Sequence, residues 1–119
     1  DPSAITRDFV DKIKGLDKVM NHFHISMQNG STKILNLMKR KYNIDMARAN
    51  IHYLKECIPG VMLSADIITG FPCENDEDFE QSLNQVKKYI KKVNTRNIKN
   101  RITAVSIRLQ LQCRGFSID

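Results

Sequence analysis

The feature that most constrains the fold is a short, largely apolar run at residues 61–68. Pro59 and Gly60 precede this run, and Gly70 and Pro72 follow it, so turn-forming residues bound it on both sides. A run of this length fits a strand buried on both faces, as in parallel sheets covered by helices. It is too short for a membrane-spanning helix, which needs about 20 apolar residues. The run therefore predicts an α/β fold with parallel strands.

Helical patterns flank this strand. Ser3 is a predicted N-cap for a first helix, and Ser31, which follows a turn at Gly30, can cap a second. Asn75 can cap the last helix, whose acidic first turn suits the helix dipole. A further amphipathic helix is predicted after Asn43. The apolar positions of the four helices are Ile5, Phe9, Ile13 and Leu16; Ile34, Leu35 and Met38; Ala47, Ile51, Leu54 and Ile58; and Phe79, Leu83, Val86 and Ile90.

A second strand is predicted at residues 23–27, and a weakly patterned one at residues 102–111. Strands that alternate with helices imply parallel pairing with helical crossovers. We divide the chain into an α/β core at residues 1–92 and a basic tail at residues 93–119 that holds an edge strand. The net charge of +6 comes from residues 81–119. Because this excess is confined to the end of the chain, we do not interpret it as an RNA-binding surface.

Composition excludes several classes of protein. Hydrophobic residues make up 41% and charged residues 27%, which is too apolar for a disordered chain. The sequence does not open with a basic and then apolar segment, so we expect a cytoplasmic protein that does not enter a membrane. Cys57, Cys73 and Cys113 are widely spaced and odd in number. This spacing predicts free thiols and no metal site.

Ligands of parallel α/β folds bind at the C-terminal ends of the strands, which here are residues 26–31 and 66–74. The first segment leads into a helix N-terminus, whose free N–H groups favour an anion, although an ordinary capped turn has the same pattern. Asp66 lies inside an apolar strand and needs either a structural hydrogen bond or a ligand.

Two further clusters have alternative interpretations. His22 and His24 face the same side of a strand, but no third metal ligand is near in sequence, so a packing or hydrogen-bonding pair is favoured. The basic residues around Arg40 fit either a solvated helix end or a contact to an anionic ligand. Composition does not decide between these two.

Two segments resemble a known family. Residues 22–31 read HFHISMQNGS and are followed by Met38, Arg40 and Tyr42, while residues 66–79 read DIITGFPCENDEDF. Both segments resemble the methylthiotransferases of the radical S-adenosylmethionine (SAM) superfamily, over residues 1 to 92. The HxHxS wording is most similar to the enzymes that act on threonylcarbamoyladenosine in tRNA, and the isopentenyladenosine branch is also similar.

The resemblance implies a partial (β/α) TIM-like barrel with two or three parallel strands and crossover helices. In this family, SAM lies across the strand ends beside a 4Fe-4S cluster, and its reductive cleavage gives a radical that acts on the tRNA base. By this resemblance, the residues expected to contact SAM are Ser26, Gln28, Gly30, Arg40, Asp66 and Gly70. No catalytic residue is expected among the residues of this chain.

The sequence departs from the family in three places. The cluster motif CxxxCxxC is missing, so we expect a fragment that is inactive without the remaining barrel portion and its cluster ligands. Asn29 stands where the family usually has Ser, and Cys73 where it usually has Gly. If the turn at Cys73 needs a positive φ, the side chain costs on the order of 1 kcal/mol.

Two other functions are compatible with the same residues. One is a fragment of a different radical SAM enzyme, such as a coproporphyrinogen oxidase-like protein, although such enzymes usually lack the HxHxS segment. The other is a non-enzymatic α/β module that binds RNA through its basic residues or is inert.

Overall fold

One parallel sheet organises the chain. The computed structural model describes residues 1–90, 92–97 and 117–118. Its sheet has 4 strands in the order β1-β2-β3-β4, and each neighbouring pair is parallel. The strands are β1 (His22–Gln28), β2 (Met62–Thr69), β3 (Lys92–Asn97) and the short β4 (Ser117–Ile118).

Helices make the crossovers between parallel strands. β1 is preceded by a 3-10 turn at Pro2–Ala4 and by α1 (Arg7–Ile13). Two helices, α2 (Thr32–Leu37) and α3 (Ile44–Cys57), connect β1 to β2. One helix, α4 (Asp76–Tyr89), connects β2 to β3. The predicted α/β fold with parallel strands and crossover helices is confirmed. No helix in the described ranges is long and apolar enough to cross a membrane.

The first helix differs from its prediction. Thr6, and not Ser3, is its N-cap, because the Thr6 side chain accepts a hydrogen bond from the Phe9 amide. Ser3 instead lies in the 3-10 turn and donates to Asp1. The predicted apolar stripe is therefore wrong: Phe9 and Leu16 are 40% and 55% exposed, and only Val10 is buried on α1.

The other helix starts follow the sequence more closely. Asn75 caps α4 in a capping box: its side chain accepts from the Asp78 amide at 2.9 Å, and the Asp78 carboxylate accepts from the Asn75 amide at 3.2 Å. Asn43 caps α3 through its side chain, which accepts from the Met46 amide. Ser31 occupies the N-cap position of α2, but its hydroxyl donates to Asp78 at 2.7 Å and does not cap the helix.

The core lies between the helices and one face of the sheet. Alternate residues of β1 and β2 are buried there against α3 and α4, as alternation along a strand requires. The predicted burial of β2 on both faces holds fully for this face and in part for the opposite one, where Ser64 is buried, Asp66 and Ile68 are half-buried and Met62 is exposed. The opposite face, which we call the polar face, carries His22, His24, Ser26, Ser64 and Asp66.

Strand positions were predicted with uneven success. The strands expected at 23–27 and 61–68 are found within one residue at each end. The strand expected at 102–111 lies outside the described residues. β3 begins at Lys92, where we placed the boundary between core and tail, so the sheet continues past that boundary.

Gly30 allows the loop after β1 to lie directly on α4. A Cβ atom at this position would be 2.4 Å from Ser82 Cα and 2.8 Å from the Gln81 carbonyl oxygen. The Gly30 amide also donates to Ser82 Oγ at 2.8 Å. Backbone atoms of a helix cannot move aside cheaply, so this contact requires glycine.

We expect Gly30→Ala to lower the free energy of unfolding by about 3 kcal/mol, because the methyl group would force α4 away from the loop. Urea unfolding followed by circular dichroism measures the change. Gly15→Ala is the matched control, since a Cβ built at Gly15 meets nothing within 4 Å in the described structure. Equal stability of the two variants would contradict this account of the contact.

Candidate functional site

The C-terminal ends of β1 and β2 lie side by side, because parallel strands end at the same edge of a sheet. Two loops meet there, residues 28–31 after β1 and residues 69–74 after β2. Such an edge is the usual ligand site of parallel α/β folds. We call these two loops the strand-end loops.

β1 ends in a strained turn at Gln28. The register against β2 shifts between Ile25 and Gln28, so β1 carries a bulge just before its end. Gln28 has φ 63°, and the Asn29 amide donates to the Met27 carbonyl at 2.7 Å across it. An i to i+2 hydrogen bond around a residue with positive φ defines the rarer and more strained form of γ-turn. Strain of this kind is typical of functional sites.

Asn29 connects the two strand-end loops and is wholly buried. Its Nδ2 donates to the Ile68 carbonyl at 3.2 Å and to Glu74 Oε1 at 2.9 Å. Its Oδ1 accepts from the Ser31 amide at 2.9 Å and from Ser82 Oγ at 3.1 Å. These contacts use both donors and both acceptor positions of the amide.

Glu74 closes the loop after β2. One carboxylate oxygen accepts from Asn29, and the other accepts from the backbone amides of Gly70 and Phe71, the latter at 3.2 Å. Gly70 and Cys73 both have positive φ, at 71° and 68°. The sequence predictions include no role for Asn29 or Glu74. An available signal for Glu74 was its place as the first acidic residue after Gly-Phe-Pro.

Arg40 is positioned by the end of α2. The Arg40 amide donates to the Leu35 carbonyl and the Lys39 amide to the Asn36 carbonyl, both at 2.9 Å, and Lys39 has φ 56°. This Schellman motif turns the chain back toward β1. Tyr42 then donates its hydroxyl to the carbonyls of Ser26 and Met27.

Tyr42 is buried beside the end of β1. Burial raises the pKa of Tyr42 to about 12, against an opposing effect of the Arg40 charge. Arg40 itself is exposed, and an exposed guanidinium can meet a ligand carboxylate.

Four side chains form a hydrogen-bonded chain on the polar face. His22 Nε2 and His24 Nδ1 lie 2.9 and 2.8 Å from Ser64 Oγ, and His24 Nε2 lies 3.3 Å from Asp66 Oδ2. The predicted hydrogen-bonding role of the two histidines is confirmed. Asp66 faces His24 in the middle of β2 and does not lie at the strand end, which corrects the expected strand-end position.

Asp78 joins the start of α2 to the start of α4. Its buried carboxylate accepts from Ser31 Oγ at 2.7 Å and from Lys33 Nζ at 2.5 Å. Burial by itself would raise the pKa of Asp78, but the hydrogen bonds from Lys33 and Ser31 hold that pKa below its ordinary value. The ionised carboxylate is therefore part of the folded structure.

The structure brings most of the predicted SAM residues to one region. Ser26, Gln28, Gly30 and Gly70 lie at or beside the strand ends, and the backbone of Arg40 is fixed by the turn that ends α2. The Gly30 backbone is engaged by Ser82, so packing already explains this glycine.

The donor set at this edge suits SAM. SAM presents a carboxylate, an ammonium group and ribose hydroxyls, which a guanidinium, a carboxylate, hydroxyls and amides can bind. Ser26 and Gln28 are half-buried. The Thr69 hydroxyl, at the end of β2, is buried with no hydrogen-bond partner among the described residues. One hydroxyl at the strand ends could therefore still form a hydrogen bond.

An iron–sulfur cluster does not fit the described residues. Cys57 ends α3 before β2 begins, whereas Cys73 follows the other end of β2. At about 3.3 Å per residue, the 8 residues of β2 keep these thiols roughly 25 Å apart. Within the described part of the chain, no group of three or more potential ligands is arranged to hold a metal ion.

Comparison with known proteins identifies the family. Residues 1–86 match the Radical SAM superfamily. The chain belongs to this superfamily. The match includes β1, β2 and both strand-end loops, which are the elements that build the edge described above. The expected partial TIM-like fold agrees with this assignment and with the open parallel sheet.

Curated relatives are tRNA-modifying enzymes by name. A tRNA-2-methylthio-N(6)-dimethylallyladenosine synthase of Thermodesulfovibrio yellowstonii is 42% identical over 72% of this chain and 20% of that protein. One of Clostridium tetani is 43% identical over 72% of this chain and 19% of its own. The threonylcarbamoyladenosine tRNA methylthiotransferase of Bacillus subtilis is 36% identical over 73% of this chain and 19% of that protein. The chain therefore spans about a fifth of these relatives.

Cys73→Gly is expected to raise the free energy of unfolding by about 1 kcal/mol, because glycine adopts the positive φ of this turn without steric cost. Urea unfolding under reducing conditions measures the gain. Cys73→Ser keeps the Cβ atom and should bring no gain. A Gly variant no more stable than the Ser variant would show that the turn is not strained.

The stability that Asp78 contributes should depend on pH. Because its folded-state pKa is lowered, this contribution is present above the ordinary pKa of 3.8 and is lost as the pH falls through the folded-state value. Wild type should therefore exceed Asp78→Asn in stability at about pH 6 and lose that advantage by about pH 3.

Urea unfolding at several pH values measures this difference. The exposed carboxylate of Asp45 contacts Arg48 only within α3, so Asp45→Asn should differ little from wild type throughout. An advantage of wild type over Asp78→Asn that stays constant with pH would refute the linkage.

Proposed function

We propose that this chain forms part of the SAM-binding core of a radical SAM tRNA methylthiotransferase. The observation that carries this proposal is the meeting of the two family segments at one sheet edge, joined by the Asn29–Glu74 hydrogen bond at 2.9 Å. The superfamily match and the names of the relatives support the same reaction class. Bound SAM would supply the radical chemistry.

Each proposed SAM contact follows from the chemistry of the side chain. The Arg40 guanidinium would hold the SAM carboxylate with two parallel hydrogen bonds. The Ser26 hydroxyl and the Gln28 amide would bind the ribose or methionine part. Gly70 would allow close approach of the backbone, whereas Gly30 packs on α4 and would contribute by shaping the loop.

Asp66 would act from the polar face. Its carboxylate already lies 3.3 Å from His24 Nε2 and is about a quarter exposed, at 25%. A carboxylate with a free oxygen can accept from ribose hydroxyls or from an ammonium group. We therefore assign Asp66 a contact deeper in the barrel than the strand ends.

The substrate we propose is a modified adenosine in tRNA. The relatives named above act on dimethylallyladenosine or threonylcarbamoyladenosine, and the former are more similar in sequence at 42% and 43% identity against 36%. These identities do not favour the threonylcarbamoyladenosine branch that the HxHxS wording suggests. Activity would require the 4Fe-4S ligands and barrel strands that the described residues do not provide.

Titration of the chain with SAM by calorimetry tests the proposed site. We expect saturable binding that Gln28→Ala and Arg40→Ala each weaken. The Arg40 variant should lose at least about tenfold in affinity, because a charge-assisted hydrogen bond contributes about 1.5–3 kcal/mol.

Lys41→Ala serves as the control, since Lys41 is an exposed neighbour of Arg40 with the same charge. It should bind SAM like the wild type. A folded wild-type chain that binds no SAM would refute the proposal that these residues form a SAM site. Equal losses for Arg40→Ala and Lys41→Ala would refute the specific role of Arg40.

A further inference from the structure

Asn29 holds parts of the chain that are far apart in sequence. Through one side chain it contacts the end of β2 at Ile68, the loop after β2 at Glu74, its own loop at Ser31 and helix α4 at Ser82. Asn29 is 0% exposed, and its hydrogen bonds with Ser31 and Ser82 are buried, while those to Ile68 and Glu74 are partly buried. Hydrogen bonds that are protected from water contribute most to rigidity.

The residue next to Asn29 is the strained one. Gln28 stays at φ 63° only if the surrounding structure enforces it. The Asn29 side chain and the Gly30 amide fix the chain immediately after Gln28. The 2.7 Å hydrogen bond from the Asn29 backbone N–H to the Met27 carbonyl then closes the turn.

We propose that Asn29 is a positioning residue: with Glu74 it locks the strand-end loops together and holds Gln28 in its strained turn, so that the SAM edge is preorganised. This inference rests on the proposed function, because it concerns affinity for the ligand of the same edge. Preorganisation increases affinity by removing the cost of ordering the loops on binding.

The four hydrogen bonds of Asn29 require an amide, although the family usually has Ser at this position. A serine hydroxyl has one proton, so it could not donate to both the Ile68 carbonyl and Glu74. A carboxylate has no proton to donate when ionised, and it would face the carboxylate of Glu74. Asn29→Asp is therefore a variant of the same shape that breaks the lock.

The polarity of the Asn29–Glu74 hydrogen bond can be exchanged without changing the net charge. In the double variant Asn29→Asp with Glu74→Gln, the new amide at position 74 can donate through its nitrogen to the new carboxylate at position 29. The oxygen of that new amide can still accept from the Gly70 and Phe71 backbone amides. In Asn29→Asp alone, two carboxylates face each other across the 2.9 Å contact. In Glu74→Gln alone, the single amide oxygen cannot accept from both Asn29 and the Gly70 and Phe71 backbone amides.

The experiment measures two quantities in the whole chain: hydrogen exchange of the Gly70 and Phe71 amides by NMR, and the SAM dissociation constant by calorimetry. Each single variant should exchange these amides faster and raise the SAM dissociation constant about tenfold. The double variant should recover part of this loss, because position 74 regains a hydrogen bond to position 29, whereas the Ile68 carbonyl still lacks its donor.

Ile51→Val is the control for lost stability. It removes one buried methyl group in α3 and leaves the strand-end loops untouched. It should change neither the exchange of the Gly70 and Phe71 amides nor the SAM affinity.

The outcomes separate this inference from the proposed function. Single variants that bind SAM like wild type, or a double variant no better than the singles, would overturn the positioning role. If wild type binds no SAM, the proposed function fails. In that case the inference about ligand affinity is overturned as well. If the double variant then restores slow exchange of the Gly70 and Phe71 amides, Asn29 and Glu74 only stabilise the loops.

Discussion

The hydrogen bond between the buried Asn29 side-chain amide and the Glu74 carboxylate is the interaction on which the strand-end loops depend. A parallel sheet brings strand ends together but does not determine how the loops beyond them are arranged. Here that arrangement is fixed by buried and half-buried polar groups that hydrogen-bond one another, so a change in one leaves another unsatisfied. Asn29 and Glu74 thereby determine where Gln28 and Gly70 lie.

The two faces of the sheet have different tasks. One face is apolar and packs on α3 and α4, and this packing stabilises the domain. The other carries the chain of His22, Ser64, His24 and Asp66, whose polar groups satisfy one another. A barrel interior that must accept a polar ligand needs such a face, and the strand alternation supplies it directly.

Sequence patterns predicted the elements that rely on local signals. Asn75, followed by acidic residues, identified the start of α4, and the apolar run identified β2. The start of α1 was wrong because two competing caps, Asp1 and Thr6, divide the segment into a 3-10 turn and a short helix. Local propensity does not reveal which cap prevails.

The candidate site was predicted less completely than the fold. The resemblance predicts roles for Ser26, Gln28 and Arg40, and these roles stay predictions. Nothing in the sequence shows that Asn29 contacts residues 39, 45 and 53 positions away. Such contacts are properties of the assembled sheet.

The contact between Gly30 and Ser82 also constrains the order of folding. It joins residues 52 positions apart, and the Ser82 bond to Asn29 spans 53. Closing loops of this length carries an entropic cost that local helix formation does not. A ribosome-bound chain that ends before α4 has emerged can form β1, α2 and α3, but it lacks the surface that seals the loop after β1. The strand-end loops can therefore reach their final arrangement only after α4 has emerged and docked.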